Sequence, residues 1–495
     1  MNTKNFILII LLTLSAITGK SQVALGVFPG NNYGNPLWDT GLLAIKSVNT
    51  MANRKMAFVN TFVAWADSSG YASFGSIEPG LNAYHKAGYD VIVTWEEENW
   101  QSVITDTSWT LTALLRGKHD QYIQQYAQAA AAWKNKLYIR LFHEMNGNWT
   151  NWSYGVNGNT ALQMKEAWIH VINIFRQEKA TNVKFIWCPN VKAPVWTDNL
   201  PLDSIYPGDA YVDWIALDGY NWGGSTNDYW YSFDTIYHST YNEILSTLSR
   251  IKPIMVAEVG CDSSHSDWDT STVTKAEWIA EMMNVVPEKY PYIKAVSYFN
   301  SNQDGAAWAI NTSPSSTTAF LKLAADPRWQ AILVDTISFM LTVNGGSGSG
   351  NYAFGTKVTI KANKPSPGKI FDAWTGSTSE ISDINDSVTY ITMTDSNITV
   401  NSSYKKVTSI QDNAGGNSVN CYPNPAISCI HIGNCSSFDY AVIYSITGEN
   451  LINKNIRGEN KITINIENLT PGLYIIRIYN STGEPKMMLF NKAVK

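Results

Sequence analysis

From Val23 to Gln330 the chain alternates short apolar, β-branched runs with longer segments of helical spacing, and no other feature restricts its fold so tightly. Eight runs read as strands: VALGVFP (23–29), KMAFVNTFVAW (55–65), YDVIVTWE (89–96), LYIRLFHE (137–144), VKFIWCPN (183–190), VDWIALDGYN (212–221), KPIMVAEVG (252–260) and IKAVSYFN (293–300). Most are nearly continuous in apolar residues, as strands covered on both faces are. Between them, HDQYIQQYAQAAAAWKN (119–135) and ALQMKEAWIHVINIFRQ (161–177) repeat apolar residues at helical spacing. Eight strand and helix units predict an α/β fold, a (β/α)8 TIM barrel over 23–330, with its functional residues at the carboxyl ends of the strands.

The character changes near Ala331, as expected of a 495-residue chain too long for one core. Short alternating strands joined by Gly, Asn and Ser turns predict a small all-β module over 336–407. A polar linker (408–420) leads into a second all-β segment, 421–495, that reads as a small sandwich. At the other end, Lys4, the apolar FILIILLTLSAI and small polar residues up to Gln22 predict a signal peptide over 1–22. No run approaches the roughly 20 apolar residues of a membrane span. Lys plus Arg is 36 and Asp plus Glu 41, a net charge of −5 that gives no support to a nucleic-acid partner. Cys188, Cys261, Cys421, Cys429 and Cys435 are too scattered for a metal site or a disulfide framework, although Cys429 and Cys435 could pair. With no nucleotide-binding loop and no metal-ligand spacing, no cofactor or metal is expected.

Chemistry concentrates at strand ends. LYIRLFHEMNGNWTNW (137–152) ends an apolar run in Glu144, close to Asn146, Trp149 and Trp152. A proton donor beside flat aromatic faces suits sugar recognition. Nineteen Trp, nearly all before residue 331, exceed what a barrel core needs and extend that reading. Glycoside cleavage uses two carboxyl groups, and in a barrel they come from different strands. Glu96, Glu97 and Glu98, Asp218, and Glu258 are the strand-end acids. Glu258 stands out, because it follows a continuous apolar run and precedes Gly260, with no other polar purpose in view. Asp218, inside an apolar run, reads as a structural hydrogen-bonding group; the Glu96–Glu98 cluster could line a subsite, and Tyr298 and Asn300 could face the cleft.

RLFHEMNGNW, YPGDAYVDWIALDGYNWG (206–223) and KPIMVAEVG, in this order and on these strands, resemble glycoside hydrolase family 26 over roughly 23–330. The resemblance implies a general acid/base at Glu144 and a nucleophile at Glu258. It further implies that His143 contacts the sugar and Tyr220 hydrogen-bonds the nucleophile, with Trp149, Trp152, Trp222 and Trp308 as stacking surfaces. The implied activity is retaining endo-hydrolysis of β-1,4-mannosidic linkages in mannan; mixed-linkage β-1,3-1,4-glucan and β-xylan are the alternatives within the family. VNGGSGSGNYAFGTKVTIKA with FDAWTG resembles a β-repeat module of bacterial surface proteins, and CYPNPA with VIYSITGENL and LTPGLYIIRI resembles the sorting domain of the type IX secretion system. Those resemblances imply the secretion machinery as a partner and a secreted or cell-surface location. A non-catalytic carbohydrate-binding protein is the reading from another class, and the presence of both Glu144 and Glu258 counts against it.

Overall fold

The computed structural model describes residues 22–30, 38–99, 106–192, 200–226, 229–265, 269–303, 305–406, 419–480 and 485–494. The expected signal peptide lies outside them except for Gln22, and the expected linker except for residues 419–420. The chain divides into two units, Met1–Ser338 and Phe339–Lys495.

All eight expected strands are present: β1 (Ala24–Phe28), β2 (Phe58–Asp67), β3 (Asp90–Asn99), β4 (Leu137–Leu141), β5 (Val183–Trp187), β6 (Trp214–Asn221), β7 (Ile254–Cys261) and β8 (Ile293–Phe299). They pair in parallel in chain order, and β1 closes the barrel by pairing with β2 at Val27–Val59 and with β8 from Ala24–Ala295 to Phe28–Phe299. Around them run α1 (Trp38–Ala52), α2 (Phe74–Lys86), α3 (Leu111–Leu115), α4 (Asp120–Trp133), α5 (Ala161–Gln177), α6 (Leu202–Ile205), α7 (Phe233–Glu243), α8 (Lys275–Lys289) and α9 (Pro314–Ala325). Between β5 and β6 the described residues hold the four-residue α6 and a 3-10 turn at Asp209–Tyr211 but no long helix, so the expected regular strand and helix alternation is uneven there.

The long helices start where the chain supplies caps. Thr160 and Gln163 form a reciprocal capping box on α5, and Thr274 and Glu277 do the same on α8, each contributing about 1 kcal/mol. Met164, Ala167, Trp168, Val171, Ile172 and Phe175 then make the buried stripe of α5 against the barrel.

Inside the barrel, alternate residues of each strand meet in layers. The lower interior is apolar: Ala24, Phe58, Ile92, Tyr138, Ile186, Trp214, Met255 and Ala295. Gly26 is required there, since a Cβ on it would come within 2.4 Å of the Phe58 ring. One step toward the carboxyl ends the interior turns polar, with buried Asn60, Thr94, Arg140, Asp218, Glu258 and Ser297. The amino-terminal end is closed by residues beyond the expected boundary at 330. Leu333 is buried against the lower layer, and Asp335 accepts from the Tyr138 hydroxyl at 2.7 Å and the Trp214 indole at 2.9 Å.

Residues 338–406, in the second unit from Phe339 on, form a four-stranded sheet (Gly350–Ala353, Ser338–Asn344, Ile398–Lys406, Lys369–Gly376) and a three-stranded one (Gly346–Ser347, Lys357–Ala362, Val388–Thr392). Strict alternation, as in Lys357–Ala362, buries Val358, Ile360 and Ala362. Residues 420–492 form the expected sandwich, with sheets of three and four strands around Ile430, Ile432, Ile443, Ile464, Ile476 and Phe490. Cys429 and Cys435 are both free; the Cys435 thiol lies buried and donates to the Glu459 carbonyl at 3.2 Å.

Candidate active site

The regular strand β4 stops at Leu141, three residues before Glu144, the acid expected at its end. Phe142 and Glu144 take left-handed backbone conformations, with φ of 47° and 54°, an uncommon choice for residues with a Cβ that a tight turn must hold in place. The Glu144 amide donates to the Cys188 carbonyl at 2.7 Å, and the Trp152 indole donates to the His143 carbonyl at 2.7 Å. Gly147 lets the chain fold under Trp149, whose ring would lie 2.5 Å from a Cβ at that position.

This turn aims the Glu144 carboxyl at two N–H donors. Asn190 donates to Oε1 at 2.8 Å and the Trp149 indole to Oε2 at 2.7 Å. Burial and the nearby charge of Glu258 raise the carboxyl to about 7, while the two donors and Arg140 pull the other way. A carboxyl poised there can deliver and recover a proton near neutral pH.

Glu258, on β7, is buried and held by two donors, the Arg140 guanidinium and the Tyr220 hydroxyl. Arg140 is fully buried, and it also donates to Asp218 at 2.5 Å and to Thr94 Oγ1 at 2.8 Å. Burial opposes its charge, and Asp218 and Glu258 more than offset that opposition, so the guanidinium stays ionised. Tyr220 is kept a neutral donor by burial and by the Glu258 charge. His143 is buried, and desolvation with Arg140 close by holds it well below its usual value, as a neutral imidazole. Its Nε2 lies 4.0 Å from Glu96 Oε1.

The remaining expected residues divide sharply. Trp149, 38 % exposed, and the half-buried Trp222 stand at the mouth. Trp152 and Trp308 are each 1 % exposed and offer no ring face to a substrate in this conformation. Trp152 packs beside Phe142 and His143, and Trp308 against Tyr220 and Trp222, so each supports the wall behind the site. Asp218 has the structural place the sequence assigned it, as a partner of Arg140. Period-two alternation separates the acidic run on β3: Glu96 lies beside His143, while Glu97 is fully buried and that burial pushes its carboxyl well above the usual carboxylate range. Tyr298 packs on Phe320 of α9, and the Asn300 side chain caps the Ile310 amide at 2.8 Å, so neither serves the cleft. Sequence reasoning missed Arg140 and Asn190. A lone Arg in the buried run LYIRL was the available signal, because a cation there demands a partner. Among the described residues no group of three or more His, Cys, Asp or Glu is placed to hold a metal.

A family model described as glycosyl hydrolase family 26 matches residues 42–300, more than half of the 495-residue chain. A divergent InlB B-repeat domain model matches 339–408 and a secretion system C-terminal sorting domain model matches 420–489. Endoglucanase H of Acetivibrio thermocellus is 32 % identical over 281 residues, 56 % of this chain and 28 % of that protein. The chain thus spans less than a third of that relative's length. Among solved structures, a β-mannanase from Bacteroides ovatus is 16 % identical, over 63 % of this chain and 91 % of that one, with a TM-score of 0.44. The catalytic domain of an endo-β-1,4-mannanase from Bacillus sp. JAMB-750 is 17 % identical, over 63 % and 88 %, with a TM-score of 0.45.

Proposed function

The chain belongs to glycoside hydrolase family 26 and carries a secretion sorting domain, and from that premise we propose that it is a secreted, retaining endo-β-glycosidase with Glu144 as acid/base and Glu258 as nucleophile. The observation that carries the reading is the contrast between the two carboxyls. Glu144 is raised to about 7 and so holds a proton near neutrality, whereas both oxygens of Glu258 accept from fixed donors, Arg140 and Tyr220.

In the first step a Glu258 oxygen bonds to the anomeric carbon as the glycosidic C–O bond breaks, and the Glu144 proton passes to the departing oxygen. In the second step Glu144, now a carboxylate, takes a proton from water as the water oxygen displaces Glu258 from the same carbon. Two inversions retain configuration, a course that calls for carboxyl groups about 5–5.5 Å apart. Trp149 offers the next sugar a stacking face whose indole N–H already touches the acid/base.

For the substrate we favour a β-glucan containing β-1,4 linkages, supported by the 32 % identity to Endoglucanase H over 281 residues. The β-1,4-mannan expected from the family resemblance is the competing reading. Side-by-side product analysis on mixed-linkage glucan, mannan and xylan, with Glu144→Ala and Glu258→Ala as controls, tests both proposals. Each variant should lose roughly 10²–10⁴-fold or more in turnover while remaining folded. Near-normal turnover in either would remove that residue from the mechanism, and products from mannan alone would reverse the substrate assignment.

A further inference from the structure

The Glu144 carboxyl is steered by a residue from a different strand and outside the expected set. Asn190 follows β5, three residues past Trp187, and its side-chain amide donates to Glu144 Oε1 at 2.8 Å. A clasp fixes Asn190 in turn: the Asn146 amide donates to the Asn190 carbonyl at 2.9 Å, and the Asn190 backbone N–H donates to Asn146 Oδ1 at 2.7 Å. A backbone N–H and C=O cannot exchange roles, so the clasp admits one orientation of Asn146. Behind it, Glu144 N–H to Cys188 O at 2.7 Å, Asp218 N–H to Pro189 O at 3.2 Å and Val191 N–H to Asp218 O at 2.9 Å tie residues 188–191 between the acid/base turn and β6.

The two oxygens of Glu144 are therefore unequal. Oε1 faces the clasped amide, whereas Oε2 faces the indole of Trp149, which is open to solvent. A carboxylic acid places its better acceptor, the carbonyl oxygen, against a fixed donor and its proton on the other oxygen. We propose that Asn190 is a positioning residue: clasped by Asn146, it reserves Oε1 as the acceptor, so that the catalytic proton leaves from and returns to Oε2 on the Trp149 side. The inference rests on the acid/base role assigned to Glu144.

Because Asn190 also favours the ionised carboxylate, its removal raises the affinity of Glu144 for its proton. The other charged or titratable groups acting at this site are Glu258, Arg140, Asp218, Tyr220 and Tyr237, none of which the substitution removes. The alkaline limb of kcat/KM, which reports loss of the acid proton, then moves to higher pH.

The test compares wild type, Asn190→Ala and Asn146→Ala on the hydrolysed polysaccharide and on a dinitrophenyl β-glycoside of the same sugar, whose leaving group departs without a proton. The expected result for Asn190→Ala is a loss of about 10-fold or more in kcat/KM on the polysaccharide, a loss of about threefold or less on the activated glycoside, and an alkaline limb displaced upward. Asn146→Ala, which keeps the Asn190 side chain, should show the same pattern more weakly and serves if Asn190→Ala fails to fold. Equal losses on both substrates with an unmoved limb, or wild-type behaviour on both, would overturn the proposal. Normal turnover by Glu144→Ala would instead overturn the acid/base assignment, so the two failures are distinguishable.

Discussion

Arg140→Met is the perturbation on which most of the site depends. The change roughly keeps the volume of the side chain and removes a fully buried cation from between Asp218, with no side-chain exposure, and Glu258, at 8 %. The charge-assisted hydrogen bonds to Asp218, Glu258 and Thr94 are lost, each contributing about 1.5–3 kcal/mol, and the two acids remain without a counter-charge. Breaking a buried ion pair from one side costs about 3–5 kcal/mol, and that loss is the expectation at pH 8. The pH dependence gives the cause away. Burial already holds the Asp218 carboxyl above its ordinary value and Arg140 opposes that shift, so with the cation gone Asp218 binds its proton more tightly still. The folded variant is then relieved at acidic pH, where Asp218 is neutral, and it loses stability as pH rises from about 4 toward neutrality. Denaturant unfolding followed by Trp fluorescence at pH 5 and pH 8, for variant and wild type, measures it. A deficit below about 1 kcal/mol at pH 8, or one equal at the two pH values, would refute the account of Arg140 as the counter-charge.

For the wild-type enzyme, kcat/KM should fall on the alkaline side with a midpoint near pH 7, the value to which burial and Glu258 raise Glu144; a pH–rate profile on soluble polysaccharide checks it. A barrel ended at Gln330 should be about 2–4 kcal/mol less stable than one ended at Ser338, because it loses buried Leu333 and leaves the Tyr138 hydroxyl and Trp214 indole without Asp335. Equal thermal melting of the two truncations would contradict that floor. Deleting residues 421–495 should abolish surface delivery in the native host and leave purified activity within about twofold, since the sandwich has a core of its own. A purified truncation without activity would mean that the tail supports catalysis.

The barrel was legible because each strand is buried on both faces, and burial on both faces leaves a continuous apolar run that composition alone exposes. Glu144 and Glu258 were legible for the complementary reason, as acids interrupting such runs. Trp152 and Trp308 were misplaced because a Trp in a strand-end loop looks the same in sequence whether its ring faces solvent or core. For Trp152 the turn at Phe142–Glu144 decides, and its left-handed backbone has no glycine to announce it; Trp308 is set by its packing on Tyr220 and Trp222. Arg140 was passed over because its partners, Thr94, Asp218 and Glu258, stand 46, 78 and 118 residues further along or back in the chain. The floor formed by Leu333 and Asp335 carries no periodicity at all, so the boundary at 330 fell short.

Arg140 also guards the assembly of the barrel itself. Its partners lie on β3, β6 and β7, so they surround it only when β4 is paired in its native register and the sheet has closed. A slip of one residue would turn Arg140 outward among the helices and bring Ile139 inward, leaving a cation in an apolar layer and the paired acids Asp218 and Glu258 on β6 and β7 without a counter-charge. Misregistered barrels are thereby made unstable, and the charge arrangement that readies the site for chemistry also proofreads the fold that carries it.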